Sequence, residues 1–378
     1  MKRGRVLVSG GAGFIGSFTV DQLIERGYDV VVLDSLEPQV HQGRVPEYFN
    51  EKARLIKGDV TDGRVLARLI REVDSVIHFA ARVGVGQSMY EIEPYIKTNA
   101  GGTATILDAI VNQENSVSKL VLASSMSVYG EGKYNCESCG GAMYPGLRSE
   151  EQLKRRAWEP LCPNCGSPLK PVPTDEESPQ MPMSIYAMTK LYQEEMCLLV
   201  AETYGLPTVV LRYFNVYGPR QALANPYTGV CAIFSNRILN DHPPYIFEDG
   251  KQTRDFVSVR DVARVNVDVL ERNSADYEIV NIGSGTPVSI EGVAKLLIRM
   301  YGKRKMRPFI SQRYRRGDIR HCFADISKAK NLLDFTPKVG MEEGFSELVR
   351  WGRTHDWGAS DLFEKAMVEL EGRGLAST

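Results

Sequence analysis

Short apolar runs of strand length alternate with helical periods through the first half of the chain. Residues 5–8 and 28–34 are β-branched and apolar, and between them Phe14 to Arg26 carries apolar positions at helical spacing until Gly27 ends the pattern. Leu55-Ile56, Val76-Ile77-His78-Phe79, Leu120-Val121-Leu122 and Val209 to Tyr213 read as further buried strands, with helical stretches such as Val65 to Glu72 and Asn99 to Val111 in the gaps. Strands that alternate with helices predict an α/β fold of the Rossmann type, a doubly wound parallel sheet covered on both faces. From residue 215 the pattern turns irregular, with short elements among Pro, Gly and Asn clusters. The expected division is a first domain over 1–214 and a smaller C-terminal α+β domain over 215–378, some of whose segments return to the first sheet. The stretch after Lys338 is again helical in pattern.

Residues 131–181 interrupt this order. They are rich in Gly, Pro, Cys and charge, and so long a connection without apolar periodicity predicts an inserted unit of its own. Inside it lie Cys136-Glu137-Ser138-Cys139 and Cys162-Pro163-Asn164-Cys165. Two such pairs at this separation have the layout of a four-thiolate zinc ribbon, and Gly140-Gly141 and Gly166 suit the tight turns that follow each pair. Four thiolates fill the tetrahedral positions of zinc, which makes the expected metal structural, not catalytic. The other three of the seven cysteines, Cys197, Cys231 and Cys322, stand apart, so no disulfide framework is expected and a reducing cytoplasm is the expected compartment.

Composition narrows the function. The 378 residues hold 46 basic and 47 acidic side chains, a formal charge of -1, which gives no electrostatic footprint for nucleic acid. Hydrophobic residues at 43% and charged residues at 25% are those of an ordinary globular protein. No apolar run approaches the ~20 residues a membrane helix needs. The basic first turn followed by Val6-Leu7-Val8 and glycines reads as a first strand, not a signal peptide.

The chemistry starts with Gly10-Gly11-Ala12-Gly13-Phe14-Ile15-Gly16, between the first strand and the first helix. Glycines there permit a tight turn and close approach of the backbone to a pyrophosphate, which the helix N-terminus attracts. Asp34 ends the second strand, where a carboxylate accepts from both ribose hydroxyls of an adenosine and repels a 2′-phosphate. The expected cofactor is therefore NAD. Asp59 is placed either to reach the adenine or simply to cap a turn.

Tyr-x-x-x-Lys occurs at Tyr48/Lys52, Tyr129/Lys133, Tyr186/Lys190 and Tyr301/Lys305, but only Tyr186 opens a long helical run. On a helix the two side chains share a face, and a lysine beside a phenol is expected to lower its pKa from ~10 toward neutrality, making a base for a sugar hydroxyl. Ser124-Ser125 follow a central strand, where Ser125 is placed to hold the oxygen on the reacting carbon. His78 reads as a packed histidine.

These features resemble the extended short-chain dehydrogenase/reductases of the NAD-dependent epimerase/dehydratase type. The likeness rests on the glycine loop, Asp34, His78-Phe79-Ala80-Ala81, Asn99, Ser125, Tyr186/Lys190 and Arg212-Tyr213-Phe214-Asn215-Val216-Tyr217-Gly218. It continues through Arg254-Asp255-Phe256-Val257, Asn281-Ile282-Gly283 and Arg315-Arg316-Gly317-Asp318. The resemblance implies a nucleotide-sugar enzyme with tightly held NAD, and a homodimer formed through helices near 99–112 and 186–204. It implies cofactor contacts from Gly10, Gly13, Phe14, Ile15, Gly16, Asp34, Asp59, Val60, Ala80, Asn99, Tyr186, Lys190 and Tyr213. Ser125, Tyr186 and Lys190 would be catalytic. Ser88, Ser125, Asn215, Arg254, Arg315, Asp318 and Cys322 would meet the substrate, with Asn215, Arg254 and Arg315 on its diphosphate and Asp318 on its ribose.

Dehydratases and decarboxylases of this type carry an acid just after the active-site hydroxyl residue, whereas here Met126 and Ser127 stand there. Serine, tyrosine and lysine alone suffice for reversible oxidation at C4, which is 4-epimerisation. A 4-ketoreductase or a 4,6-dehydratase is the alternative enzyme, and a dinucleotide-sensing regulator with a zinc module the alternative outside enzymes. The blocks Arg82 to Ser88 and Asn225 to Val230 resemble dTDP-L-rhamnose 4-epimerases, on a framework shared with UDP-glucose 4-epimerases. The partner implied is thus a dTDP- or UDP-linked sugar. The insertion departs from the family pattern and is expected to form a lid or wall beside the sugar.

Overall fold

A computed structural model describes residues 3–354 and 361–377. Seven strands form one sheet: β1 (Arg5–Ser9), β2 (Asp29–Asp34), β3 (Arg54–Lys57), β4 (Ser75–His78), β5 (Lys119–Ser125), β6 (Thr208–Tyr213) and β7 (Ile279–Ile282). Their order is β7-β6-β5-β4-β1-β2-β3. Every pairing is parallel. The order reverses at β1 and β4, and at such a switch point the carboxyl ends of the strands open a crevice for a ligand. β2 is buried at every position after its first, and β5 at every position before its last. Strands covered on both faces need no polar alternation, which is why these runs are continuously apolar.

Two cores cover the sheet. On one face Val8, Val32, Ile77, Val121 and Leu211 pack with Leu23 of the helix Phe14–Glu25 and Val262 and Val265 of the helix Val259–Glu271. On the other, Leu7, Val31 and Val76 pack with Leu66 and Leu69 of the helix Gly63–Ile70 and with Ile106 and Cys197. β7 comes from late in the chain, so residues beyond 215 do return to the first sheet.

The second half builds a small sheet from Asn215–Tyr217, Thr253–Ser258 and Pro287–Ser289, with His321–Cys322 pairing alongside Thr253 and Arg254. Behind it Tyr217, Phe234, Leu297 and Phe345 form a separate core. Tyr217 and Phe345 meet edge to face at 4.5 Å, and Gly344 leaves the space this needs, since a Cβ there would stand 2.5 Å from the Tyr217 hydroxyl. Helices Met341–Thr354 and Phe363–Gly372 follow Lys338. No helix among the described residues is long and apolar enough to cross a membrane.

The insertion leaves at Gly130, in the left-handed region at φ +67°, and returns where the Met181 N–H donates to the Val128 carbonyl at 2.8 Å. Three two-residue strands, Tyr134–Asn135, Ala142–Met143 and Lys170–Pro171, pair antiparallel within it. Around the cysteines its apolar core is Tyr134, Cys136, Cys162 and Leu169 with Met143 packed on, and Leu153 and Trp158 pack separately on Tyr314. So small a core cannot fold a segment by burial alone.

Candidate active site

The glycine loop is closed by its own backbone. At Gly10 (φ +72°) a Cβ would stand 2.8 Å from the Ala80 nitrogen, and at Gly16 one would stand 2.2 Å from the Gly10 carbonyl oxygen. Gly13 caps the first helix without a side-chain bond, and no acid lies in its first turn. The free N–H groups and positive end of that helix are therefore left for an anion from outside the chain. Phe14 and Ile15 turn their side chains away, onto Val259 and Ala263, so they offer the cradle only backbone.

Asp34 braces this loop. One carboxylate oxygen accepts from the Ala12 N–H at 3.0 Å and the other from the Leu36 N–H at 2.9 Å, and each oxygen keeps a lone pair for a ribose. These features fit a dinucleotide. Asp59, in contrast, is exposed and closes an Asx turn on the Thr61 N–H and hydroxyl, both at 2.8 Å. That is the turn role weighed for it above. Val60 is buried against Gly102, where a Cβ would come within 2.4 Å of it.

His78 is a packed group. It bonds the hydroxyls of Ser9 (2.7 Å) and Thr103 (2.8 Å), and burial pushes it down to about 3, so it stays neutral. Asn99 falls in a π-helical turn, Ile96–Gly101, ahead of the α-helix Gly102–Asn112, where the periodicity predicts a plain helix. Its amide accepts from the Arg82 N–H at 2.7 Å and donates to the Arg82 carbonyl and to Thr189, which fixes the loop after β4 to the helix of Tyr186. Tyr213 turns its ring into the core and donates to Asn266 at 2.5 Å, so only its backbone faces the crevice end of β6.

Tyr186 and Lys190 lie on the helix Ile185–Tyr204, capped by Ser184, which accepts from the Ala187 N–H. The Tyr186 N–H donates to the Ser88 hydroxyl at 3.0 Å, and that hydroxyl donates to the Val85 carbonyl at 2.7 Å. Ser88 thus anchors the start of this helix. Ser125 ends β5, caps the 3-10 turn Met126–Tyr129 by accepting from the Ser127 N–H at 3.2 Å, and interacts with the Tyr186 hydroxyl. The expected downward shift of Tyr186 is not what the geometry gives. Burial pushes its phenol up to about 12, opposed only by Ser125, while Lys190 gives its ammonium to the Ala123 carbonyl at 2.8 Å. Lys190 is itself pushed down to about 8 by burial, against the pull of Glu194. Desolvation disfavours both charged forms.

Glu194, one turn beyond Lys190, was not singled out by sequence. It takes a bidentate contact from fully buried Arg212 of β6 (2.6 and 3.0 Å) and a hydrogen bond from the Ser124 hydroxyl. Arg212 also donates to Tyr129 at 2.9 Å, which donates to Asn281 of β7 at 2.7 Å. The i+4 spacing from Lys190 is the signal that marks Glu194.

On the facing half, Arg254 donates to three carbonyls, of Thr253, Ile319 and Arg320, at 2.7–3.0 Å. Among the described residues it makes no ion pair, and burial pushes its guanidinium down. A buried Oδ1 of Asn215 has no partner. An unpaired cation suits a diphosphate. Arg315 and Asp318 instead pair with each other at 2.8 Å, and the Arg315 guanidinium lies 4.6 Å from the centre of the Phe247 ring. Cys322 is buried with Met126 and Phe214, its thiol 3.8 Å from the Thr174 hydroxyl. No acid stands at Met126 or Ser127, and the Ser127 hydroxyl is buried without a partner.

The four insertion thiols converge. Their sulfurs all lie within 4.8 Å of one another, with Cys136–Cys165 at 3.6 Å and Cys139–Cys162 at 3.9 Å. Four sulfurs held ~2.3 Å from one ion in a tetrahedron stand about 3.8 Å apart. Gly140, Gly141 and Gly166 all adopt positive φ, and the N–H groups of Gly140 and Gly166 close turns onto Cys136 and Cys162. The donor set fits zinc.

A sheet with this switch point, carrying this loop and this Ser/Tyr/Lys set, defines a dinucleotide-dependent enzyme of the short-chain dehydrogenase/reductase kind. The chain belongs to the NAD-dependent epimerase/dehydratase family, whose pattern it matches over residues 6–146 and 164–283. It is 37% identical to the dTDP-L-rhamnose 4-epimerase of Burkholderia thailandensis over 350 residues, 92% of this chain and 94% of that one. It is 32% identical to the UDP-glucuronate 4-epimerase of Thermodesulfobacterium geofontis, covering 93% of this chain and 96% of the relative. The crystal structure of the Thermotoga maritima UDP-glucose 4-epimerase with UDP-glucose superposes with a TM-score of 0.75 at 33% identity, over 92% of this chain and 98% of that one. The UDP-glucuronic acid 4-epimerase of Bacillus cereus, in complex with UDP-glucuronic acid and NAD, superposes at 0.73 and 30% identity, over 92% and 99%.

Gly16→Ala places a methyl against the Gly10 carbonyl. Overpacking of that size costs about 1–3 kcal/mol. NAD affinity of the variant should fall about tenfold to a hundredfold. Quenching of the intrinsic protein fluorescence on titration with NAD measures it, with Gly146→Ala, where a Cβ meets open space, as the unaffected control.

Proposed function

We propose that this protein is an NAD-dependent nucleotide-sugar 4-epimerase, acting on a UDP- or dTDP-linked sugar. The observation that carries the reading is the placement of Ser125 at the end of β5 beside Tyr186 and Lys190, with no acid at 126 or 127. The glycine loop, Asp34 and the uncapped first helix would hold NAD. When bound, NAD takes up the hydride from C4 of the sugar and returns it, and its positive ring favours an ionised phenol nearby.

The residues of the chain do the rest. Ser125 holds the C4 oxygen by a hydrogen bond. Tyr186 takes the proton from that oxygen as C4 loses hydride. Lys190, between the Ala123 carbonyl and Glu194, supplies positive charge on the same helix face. The 4-keto sugar then presents its other face, and Tyr186 returns the proton to the same oxygen. Without a carboxyl group at 126 or 127, nothing there drives elimination toward C6, which favours epimerisation over dehydration. Asn215, Arg254 and Arg315 would bind the diphosphate of the nucleotide sugar and Asp318 its ribose, Asp318 and Arg315 by opening the contact they make with each other. The name of the rhamnose relative and its 37% identity favour a dTDP-sugar.

The enzyme is proposed to work as a homodimer in the cytoplasm. On the helix Ile185–Tyr204, Met188, Tyr192, Leu199 and Tyr204 are exposed, beside a groove lined by Ile110, Val200 and Leu206. A second copy of this face would cover them. The cytoplasm keeps the four thiols reduced for a structural zinc.

Tyr186→Phe removes the base and leaves the cradle. Its kcat should fall by about 10²–10⁴-fold with bound NAD unchanged, read from turnover and from cofactor released on denaturation. A regulator that only senses NAD would show no such dependence. For the metal, elemental analysis should find one zinc per chain. The ion should be lost on Cys136→Ser and released as acid protonates the thiolates.

A further inference from the structure

The insertion does not stand off as a decoration. Two of its metal-ligating cysteines lie beside residues that grip the segment 318–322. Tyr134, two residues before Cys136, accepts from the His321 N–H at 3.1 Å and donates to Glu131 at 3.0 Å. Glu159, three residues before Cys162, accepts from Arg320 at 2.6 Å and bonds the His321 ring at 3.0 Å. Between the two cysteine pairs, buried Arg148 donates to the Asp318 carbonyl at 2.8 Å and pairs with Glu248 at 2.9 Å and Glu131 at 3.4 Å.

The segment is held from its other side by the residues that face the substrate. Arg254 donates to the carbonyls of Ile319 and Arg320. Arg320, fully buried, takes Glu248 at 2.9 Å and Asp249 at 2.7 Å as well as Glu159, and its N–H donates to Glu131 at 2.7 Å. Two buried cations and the four carboxylates around them thus join the insertion to the strand of Arg254 and to Asp318. A buried ionic network of this kind stabilises little in sum, but it admits few alternative arrangements.

We infer that the four-cysteine insertion is a positioning strut for the nucleotide-binding half of the site, and that Arg148 and Glu159 are the residues through which it acts. Metal-dependent folding of the insertion fixes Glu159, Arg148 and Tyr134. These fix residues 318–321, and the carbonyls of that segment fix Arg254. Metal retention and nucleotide affinity are therefore linked, and by reciprocity a bound nucleoside diphosphate strengthens metal retention. The chemistry at Tyr186 and the NAD cradle lie on the other half and take no part in the network.

The inference rests on the nucleotide-sugar reading, and the test separates the two. Full-length holoprotein is titrated calorimetrically with UDP and with dTDP, for wild type, Arg148→Lys and Glu159→Gln. The second variant removes one charge from a carboxylate that is 41% exposed, so it spares the fold even if the first does not. Both Kd for the nucleoside diphosphate and KM for the sugar nucleotide should rise about tenfold, with kcat and NAD content within about twofold of wild type. The same nucleoside diphosphate should slow zinc release to a chelator in wild type and lose that effect in Glu159→Gln. Wild-type binding of UDP or dTDP with unchanged affinity in a folded Glu159→Gln overturns the strut alone, as does a fall in kcat at unchanged Kd. Failure of wild type to bind either nucleotide overturns the nucleotide-sugar reading and the strut with it.

Discussion

The helix Ile185–Tyr204, which carries Tyr186 and Lys190, is held in place by a fully buried ion pair. Glu194 meets Arg212 through two oxygens, and the same pair collects Ser124 from β5, Tyr129 from the turn after it and, through Tyr129, Asn281 from β7. Breaking such a pair by removing one partner costs about 3–5 kcal/mol, because the other charge is left buried and uncompensated. Its geometric effect is larger than its net energy. It sets the rotation of the helix Ile185–Tyr204 against the sheet, and with it the direction of Lys190 one turn and Tyr186 two turns earlier. Ser88 fixes the start of the same helix from the opposite side. The reacting groups therefore sit between two anchors, and Ser125 is delivered to them by the strand that Glu194 also grips.

Around this centre two places among the described residues are left for charge from outside. The first helix starts after Gly13 with no capping side chain and no acid in its first turn, and Arg254 donates to three carbonyls and makes no ion pair. One belongs to the parallel sheet and the other to the small second sheet. On the proposed reading two diphosphates, that of a dinucleotide and that of a nucleotide sugar, would satisfy them. The upward shift of Tyr186 to about 12 fits such an arrangement, since a phenol kept protonated by burial becomes a base only when positive charge arrives beside it.

Much of this was legible in the sequence, for physical reasons. Parallel strands covered on both faces are largely apolar, so β1 to β4 and β6 could be read within a residue, whereas β5 runs three residues past Leu122 to Ser125. The glycine loop was legible because backbone closure excludes any side chain at Gly10 and Gly16. The four cysteines were legible because zinc dictates their spacing. What escaped depends on partners far apart in the chain. Arg148 and Glu159 look like surface charge until the fold brings residues 318–321 to them. Tyr213 sits in a family motif, yet strand alternation sends its ring into the core. The π-turn at Asn99 follows from bonds to Arg82 and Thr189, and no local periodicity announces it. The pKa of Tyr186 was misjudged because pairing was weighed and desolvation was not.

The central claim is that hydride leaves and returns to one carbon on a cofactor the protein retains. Proton NMR of the purified protein with a panel of UDP- and dTDP-sugars, with no NAD added, tests it most directly. The expected result is the C4 epimer of one of them, growing to an equilibrium mixture. A 4-keto-6-deoxy product, or turnover only when a reduced cofactor and a 4-keto sugar are supplied, would contradict it.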